Sequence, residues 1–224
     1  MWSISFWSML AALILLFDVG AASAQTRAQP APHNDTQFWN DTLLTVPMGK
    51  SVDAIFSGTL RIGSDLSRPV EERLGLAFNF RLGKYLSLQP GYTGIWTRPK
   101  GGREGYEDRL SLAATLRTTL GKFTLSDRNT FERRYRSPQI DSTRYRNRLQ
   151  IEHPLARLPL SIFASDEVFY DWSVNEWVRN RFAVGLSKKF NQHFTGELYY
   201  LRQNDGRTRP GDLHVIATTF RLRP

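Results

Sequence analysis

Apolar and polar residues alternate along most of the chain with a period of two. Within residues 106–120, Leu110 and Leu112 fall on one face, whereas Arg109 and Arg117 fall on the other. The same alternation recurs in three further segments: 73–82, 145–155 and 178–190. This period is typical of β-strands, because a helix would need apolar residues three and four positions apart. The chain is therefore predicted to be all-β.

Turn-forming residues divide this alternating sequence into long segments. We predict eleven strands: 37–46, 51–63, 71–82, 85–97, 106–119, 122–136, 142–153, 159–172, 177–190, 193–204 and 212–222. At ~3.3 Å per residue the longest are able to cross a bilayer at a tilt. Tight turns alternate with longer polar links, as in an antiparallel up-and-down barrel.

The strand number needs an explanation, because bacterial single-chain barrels normally have even numbers. We therefore expect about 12 strands, with 10–12 consistent with the pattern. A short strand near residues 26–36, or one long segment that forms two strands, would supply the twelfth. Alternatively, the first segment closes the barrel parallel to the last.

The composition of the polar face indicates which side of the sheet faces the interior. It mixes small residues such as Gly75, Ala77 and Ala183 with many arginines and glutamates. Small residues weaken a solvent-facing strand, but they leave room for long side chains in a crowded lumen. Aromatic residues such as Tyr92 and Trp96 lie near the strand ends of the apolar face, as in the aromatic girdles of membrane barrels. The sequence therefore predicts a transmembrane β-barrel, and a soluble barrel with an apolar interior is the alternative.

The first residues resemble a secretory signal peptide. An apolar run leads to Ala22-Ser23-Ala24, a small-x-small cleavage pattern. We predict a signal peptide at 1–24, a flexible segment at 25–36 and the barrel at 37–223. The segment before the apolar run has no Lys or Arg and Asp18 interrupts the run, so an uncleaved anchor is the competing interpretation. Export and barrel together predict the bacterial outer membrane.

Four short stretches resemble a known family. They are Leu125-Ser126-Asp127-Arg128-Asn129, Arg144-Tyr145-Arg146-Asn147-Arg148-Leu149, Phe163-Ala164-Ser165-Asp166-Glu167-Val168-Phe169 and Asn180-Arg181-Phe182-Ala183-Val184-Gly185-Leu186. They are similar to the bacterial outer-membrane barrels of domain-of-unknown-function family 2490. The resemblance covers roughly residues 37–223 and implies a barrel and an outer-membrane address, with no catalytic residues to carry over. One departure is the C-terminus, where Phe220 is not the last residue.

Residues for catalysis or metal binding are sparse. The absence of cysteine excludes disulfides, thiol catalysis and Cys-ligated metals. The four histidines show no metal-ligand spacing, and we expect no cofactor. His153 beside Glu152 is the one candidate for a hydrolase at a barrel rim, and no serine pairs with it. We therefore predict a protein without enzymatic activity.

The candidate site is a cluster of charges on the predicted inner face. Its members are Arg117, Arg128, Glu132, Arg134, Arg144, Arg146, Arg148, Glu152, Glu167, Arg179, Arg181 and Glu197. Arginine–carboxylate pairs would fill a narrow lumen and fix the strand register, a structural or narrow-pore role. Because arginines outnumber acids, a small anion-permeable channel is the alternative.

The partners predicted from this interpretation are those of an outer-membrane protein. We expect contact with outer-membrane lipid and lipopolysaccharide, and insertion by the barrel assembly machinery. The chain is basic, with a formal net charge of +9, but it lacks motifs for nucleic-acid recognition. The polar loop at 97–105 is a candidate adhesion surface, although a solvated loop is the preferred interpretation.

Overall fold

The computed structural model describes residues 34–98, 103–156, 158–208 and 210–224. They form eleven strands: β1 (Asn34–Pro47), β2 (Val52–Gly63), β3 (Arg68–Leu82), β4 (Leu86–Thr97), β5 (Gly105–Leu120), β6 (Phe123–Ser137), β7 (Ser142–Pro154), β8 (Ser161–Asp171), β9 (Glu176–Lys189), β10 (Phe194–Asp205) and β11 (Asp212–Leu222). The predicted all-β fold is confirmed. Among the described residues, no helix is long and apolar enough to cross a membrane.

The strands form one closed barrel in chain order. Each strand is antiparallel to the next, whereas β1 pairs in parallel with β11, from Asn34 opposite Asp212 to Leu44 opposite Leu222. This parallel closure permits an odd number of strands, so the described residues need no twelfth strand. Residues 34–36 of the segment proposed for that strand belong to β1. Residues 1–33, with the predicted signal peptide, lie outside the described part of the chain.

Two kinds of connection lie at opposite ends of the barrel. The short-turn end carries the connections 48–51, 83–85, 121–122, 155–160 and 190–193, and the long-loop end carries 64–67, 98–104, 138–141, 172–175 and 206–211. Gly83 (φ 78°) and Gly121 (φ 61°) supply the left-handed backbone of two tight turns, a conformation that glycine adopts without steric cost. Successive connections therefore alternate between the two ends of the barrel as predicted, but the six-residue connection 155–160 at the short-turn end is longer than three of those at the long-loop end.

The outer surface of the barrel is mainly apolar. Leu74 is 64% exposed and Leu112 is 51% exposed, and further large apolar side chains on β2–β11 share this outward direction. The residues between them point inward, where Glu132 is only 2% exposed. The predicted orientation is confirmed, and it is the one that a transmembrane barrel requires.

The interior is not uniformly charged. Trp39, Leu201, Leu213, Val215 and Ala217 form a buried apolar cluster on β1, β10 and β11. Strand β11 carries apolar residues on both faces, so alternation alone does not reveal this part of the lumen. The sequence predicts charged and small residues for the lumen and does not predict this apolar wall. Here apolar contacts pack the barrel interior around its parallel seam.

A polar patch interrupts the outer surface on β6–β9. The Asn147 amide donates hydrogen bonds to Asp127 (2.6 Å) and Asn129 (3.1 Å), and Asn180 donates to Asp166 (2.8 Å). In the strand register these five residues occupy two adjacent rows. Nothing in the alternation predicted them, because each replaces an apolar residue within an otherwise regular strand. Their mutual hydrogen bonds reduce the cost of placing polar groups against hydrocarbon.

The Asp166–Asn180 pair tests whether this surface faces lipid. Replacing both by Leu removes two polar groups and leaves no unpaired partner, so we expect unchanged or higher stability in lipid vesicles. Asp166→Leu alone leaves the Asn180 amide without its acceptor, and we expect a lower free energy of unfolding, by about 1–3 kcal/mol relative to the double variant. Urea unfolding in vesicles measures both values. A double variant that is less stable than the single one would contradict a lipid-facing position.

Candidate functional site

All twelve predicted site residues point into the barrel, but the structure divides them into groups. Six belong to one ion-paired network: Glu132, Arg134, Arg144, Arg146, Glu167 and Arg181. Four line a cavity toward the short-turn end without joining that network: Arg117, Arg128, Arg148 and Glu152. The last two form separate pairs, Arg179 with Asp205 (2.6 Å) and Glu197 with Arg221 (3.1 Å).

Glu132 on β6 is the centre of the ion-paired network. One carboxylate oxygen accepts a hydrogen bond from Arg146 (2.7 Å) and lies 3.6 Å from Arg109. The other oxygen accepts two hydrogen bonds from Arg144 (2.8 and 2.5 Å). Glu132, Arg144 and Arg109 are all buried. Three guanidinium groups thus satisfy one carboxylate away from bulk water, the arrangement that makes buried charge tolerable.

Two further glutamates extend the network around the lumen. Glu107 on β5 accepts hydrogen bonds from Arg109 (2.7 Å) and Arg134 (2.8 and 2.9 Å). Glu167 on β8 accepts from Arg146 (2.5 and 3.0 Å) and lies 3.6 Å from Arg181. The network therefore runs without a break across β5–β9. We call it the arginine–glutamate layer, and its members are Glu107, Arg109, Glu132, Arg134, Arg144, Arg146, Glu167 and Arg181.

Phe169 gives the layer an aromatic platform. Its ring is 1% exposed, and four guanidinium carbons lie 4.9–5.5 Å from its centroid, those of Arg144, Arg146, Arg179 and Arg181. A desolvated cation over an aromatic face is stabilised by the ring quadrupole. Phe169 is not among the site residues predicted from the sequence, although two-residue spacing from Glu167 places it on the same face.

Trp39 connects the layer to the opposite wall. Arg61 lies 3.8 Å from the ring centroid of Trp39 and Arg181 lies 4.9 Å from it. Arg61 also pairs with Glu71 (3.0 Å), which accepts a second contact from Arg73 (2.5 Å). Alternation along each strand predicts that these residues lie on the inner face, but only the tertiary structure shows which of them pair. Charged and aromatic side chains thus meet across the lumen.

The lumen contains two cavities on either side of these contacts. One, of about 620 Å³, lies toward the long-loop end and includes Thr97 and Arg136 in its lining. The other, of about 1100 Å³, lies toward the short-turn end and includes Ser126 and Lys189. Of the layer residues, Arg146 lines both cavities. It therefore marks the boundary between them.

The other predicted chemistry is not assembled. Glu152 lines the lumen, whereas the His153 ring lies 4.7 Å from Phe123 on the outer surface. Strand alternation thus puts the two members of the suggested hydrolase pair on opposite faces. Within the described residues, no group of His, Cys, Asp and Glu side chains is able to hold a metal ion. In the 97–105 loop, Arg98 pairs with Glu72 (3.0 Å), and residues 99–102 lie outside the described part.

The sequence matches the family described as "Protein of unknown function (DUF2490)" over residues 36–214. No curated protein matches it. Among solved structures, the NanC porin is 10% identical, with a TM-score of 0.49 and coverage of 80% of this chain and 93% of that one. LpxR from Salmonella typhimurium is 10% identical, with a TM-score of 0.47 and coverage of 77% and 83%.

An anion-selective porin from Comamonas acidovorans is also similar. It is 15% identical, with a TM-score of 0.41, and the match covers 78% of this chain. This chain spans 54% of that porin's length. At identities of 10–15% the likeness to these structures is one of barrel fold alone.

The central role of Glu132 is open to a stability test. Among the described residues, Glu132 is the one carboxylate within 4.0 Å of Arg144. Glu132→Gln leaves that buried guanidinium without a counter-charge, and we expect a loss of about 3–5 kcal/mol in the free energy of unfolding. Glu197→Gln is the matched control, because its partner Arg221 is 49% exposed and such pairs contribute about 0–1 kcal/mol. Equal losses in the two variants would contradict the central role of Glu132.

Proposed function

The chain belongs to the family of proteins of unknown function DUF2490, and we propose that it is a non-enzymatic β-barrel protein of the bacterial outer membrane. In this proposal the arginine–glutamate layer narrows the lumen so that only small ions pass. The layer also stabilises the barrel from within. The single observation that carries the proposal is the uninterrupted ion pairing from Arg134 to Arg181 across five strands.

The outer surface supports a membrane location. Apolar side chains cover it between the strand ends, and a closed barrel leaves no unpaired strand edge in the hydrocarbon. Near the long loops, Trp96 packs against Tyr106 with ring centroids 5.6 Å apart, and Tyr170 packs against Trp177 at 5.3 Å. Tyr and Trp favour the membrane–water interface. Lipid and lipopolysaccharide are the partners that this surface fits, and the barrel assembly machinery is the expected insertion partner.

The interior supports a narrow passage. Arg146 is held between Glu132 and Glu167 and lies at the boundary of the two cavities. Its guanidinium also lies 5.0 Å from the Phe169 centroid, so contacts on several sides fix its position. Because hydrogen bonds and ring contacts hold the side chains of the layer, solute movement through the lumen requires a path between them.

The charges of the interior favour anions over cations. In the short-turn cavity the cationic side chains are Arg73, Arg117, Arg128, Arg146, Arg148, Lys189 and Arg221, whereas the acidic ones are Asp41, Glu152 and Glu197. A lumen lined by excess cationic groups raises the local concentration of anions. A soluble ligand-binding barrel would need the reverse orientation, with its apolar face inside.

Conductance in planar bilayers tests this proposal. We expect small currents with a preference for anions from the wild-type barrel. Arg146→Ala removes a side chain from the boundary between the cavities, so we expect a severalfold higher conductance. The remaining acids keep partners, because Glu132 retains Arg109 and Arg144, and Glu167 retains Arg181.

Arg133→Ala is the matched control for this experiment. Arg133 lies on the outer surface, 46% exposed and 3.9 Å from Asp141, and we expect its loss to leave the current unchanged. Three results would contradict the proposal: large open-pore currents from the wild type, a preference for cations, or an Arg146→Ala conductance equal to that of the wild type. Recovery of the native protein from a soluble periplasmic fraction would reject the membrane location.

A further inference from the structure

Two arginines face each other inside the short-turn cavity. Arg128 on β6 and Arg148 on β7 are direct register partners on the inner face of the barrel. Like charges directly opposite each other on neighbouring strands are destabilising. Arg146, on the same face of β7, lies one inward position further along the strand. The barrel therefore concentrates positive charge at this place.

The two facing arginines lack counter-charges of their own. Among the described residues, no carboxylate lies within 4.0 Å of Arg128 or Arg148, in contrast to the arginines of the layer. Their side-chain partners are neutral amides, Gln89 for Arg128 (3.2 Å) and Gln150 for Arg148 (2.7 Å). Each guanidinium has five N–H donors, so most of their donors remain free for another acceptor.

The acidic residues of the cavity do not fill this need. Asp41 accepts a hydrogen bond from Thr59 (2.6 Å), and Glu197 pairs with Arg221 (3.1 Å). Asp41 and Glu152 remain without a salt bridge in the described residues. Four cations of the cavity also lack a carboxylate within 4.0 Å there: Arg117, Arg128, Arg148 and Lys189. The cavity thus has a surplus of positive charge that its own side chains leave uncompensated.

The rest of the cavity wall suits a hydrated anionic molecule. Hydroxyl groups on several strands contribute to it, among them those of Thr45, Ser57, Thr115, Ser126, Ser187 and Thr219. Hydroxyls donate hydrogen bonds to phosphate and carboxylate oxygens. The volume of about 1100 Å³ is slightly above the usual range of about 300–1,000 Å³ for small-molecule sites and far exceeds that of a single inorganic ion.

We propose that the short-turn cavity is a binding site for a small soluble molecule carrying two or more phosphate or carboxylate groups. Arg128 and Arg148 bind one anionic group between them, since arginine forks match such groups bidentately. Arg117 binds a second group. This inference deepens the proposed function and shares its assumption that the cationic lumen attracts anions.

Calorimetry on the purified barrel in neutral detergent tests the site, with inorganic pyrophosphate as the probe. We expect binding of one pyrophosphate per barrel that weakens as salt is added. The double variant Arg128→Gln/Arg148→Gln should bind about tenfold to a hundredfold more weakly, the loss expected for charge-assisted hydrogen bonds. Arg133→Gln removes one positive charge from the outer surface, away from the cavity, and should bind as the wild type does.

Thermal unfolding without pyrophosphate separates a binding role from a structural one. If the two arginines exist to bind an anion, their removal relieves repulsion, and the double variant should unfold at a higher temperature than the wild type. A structural role would lower that temperature instead. The inference is overturned if pyrophosphate does not bind, if the double variant binds it with unchanged affinity or unfolds at a lower temperature than the wild type, or if the Arg133→Gln control loses binding to the same extent.

The outcome is distinguishable from that of the conductance experiment. If the barrel passes only small anion currents but does not bind pyrophosphate, the proposed function stands and the binding site is rejected. If the barrel binds pyrophosphate but conducts as an open pore, the binding site stands and the narrow passage is rejected.

Discussion

A side chain on any strand of this barrel has two destinations, the lumen or the outer surface. Because the sheet closes on itself, alternation sends every second residue to each side. Hydrocarbon tolerates few charges, so the long arginines and glutamates collect inside, where bulk water is scarce. They must therefore satisfy one another, and the sharing of Glu132 by Arg109, Arg144 and Arg146 is the direct result.

Packing within the lumen follows from the same constraint. Small residues on the inner face give space to large ones: a Cβ atom at Gly75 would lie 2.5 Å from the Ser57 hydroxyl, and one at Gly185 would collide with Tyr199. Aromatic rings take the place of water beside the guanidinium groups, with Phe169 and Trp39 as the platforms. Ion pairs, aromatic rings and small residues together pack the interior, which retains two cavities.

The sequence predicts the orientation of each strand well, since it depends only on the period of two. It placed Arg146 and Glu167 in the lumen because both lie on the charged face of regular strands. It predicted arginine–carboxylate pairs in the lumen but not which residues form them, because a contact between neighbouring strands depends on the register, which the turns set. It offered the parallel closure of β1 on β11 only as an alternative to a twelfth strand, because that pairing forms between segments far apart in the chain.

The alternation of apolar and polar residues also has exceptions that the sequence does not predict. Phe169 follows the period of its strand but not the rule that aromatic residues face lipid. Asp127 and Asn147 lie on the outer face although both are polar. The hydrogen bond between them reduces the cost of exposing their polar groups there. In each case the side chain is stabilised by residues on other strands, which the local sequence does not show.

Fluorescence quenching in lipid vesicles tests the orientation most directly. The sequence contains no cysteine, so Leu112→Cys and Ser126→Cys each give a barrel with one labelling site for an environment-sensitive dye. Leu112 lies on the outer surface and Ser126 lines the short-turn cavity. The account predicts that brominated acyl chains quench the dye at position 112 but not at position 126, and that aqueous iodide does the opposite. Quenching of position 126 by brominated lipid, with iodide quenching position 112, would contradict it.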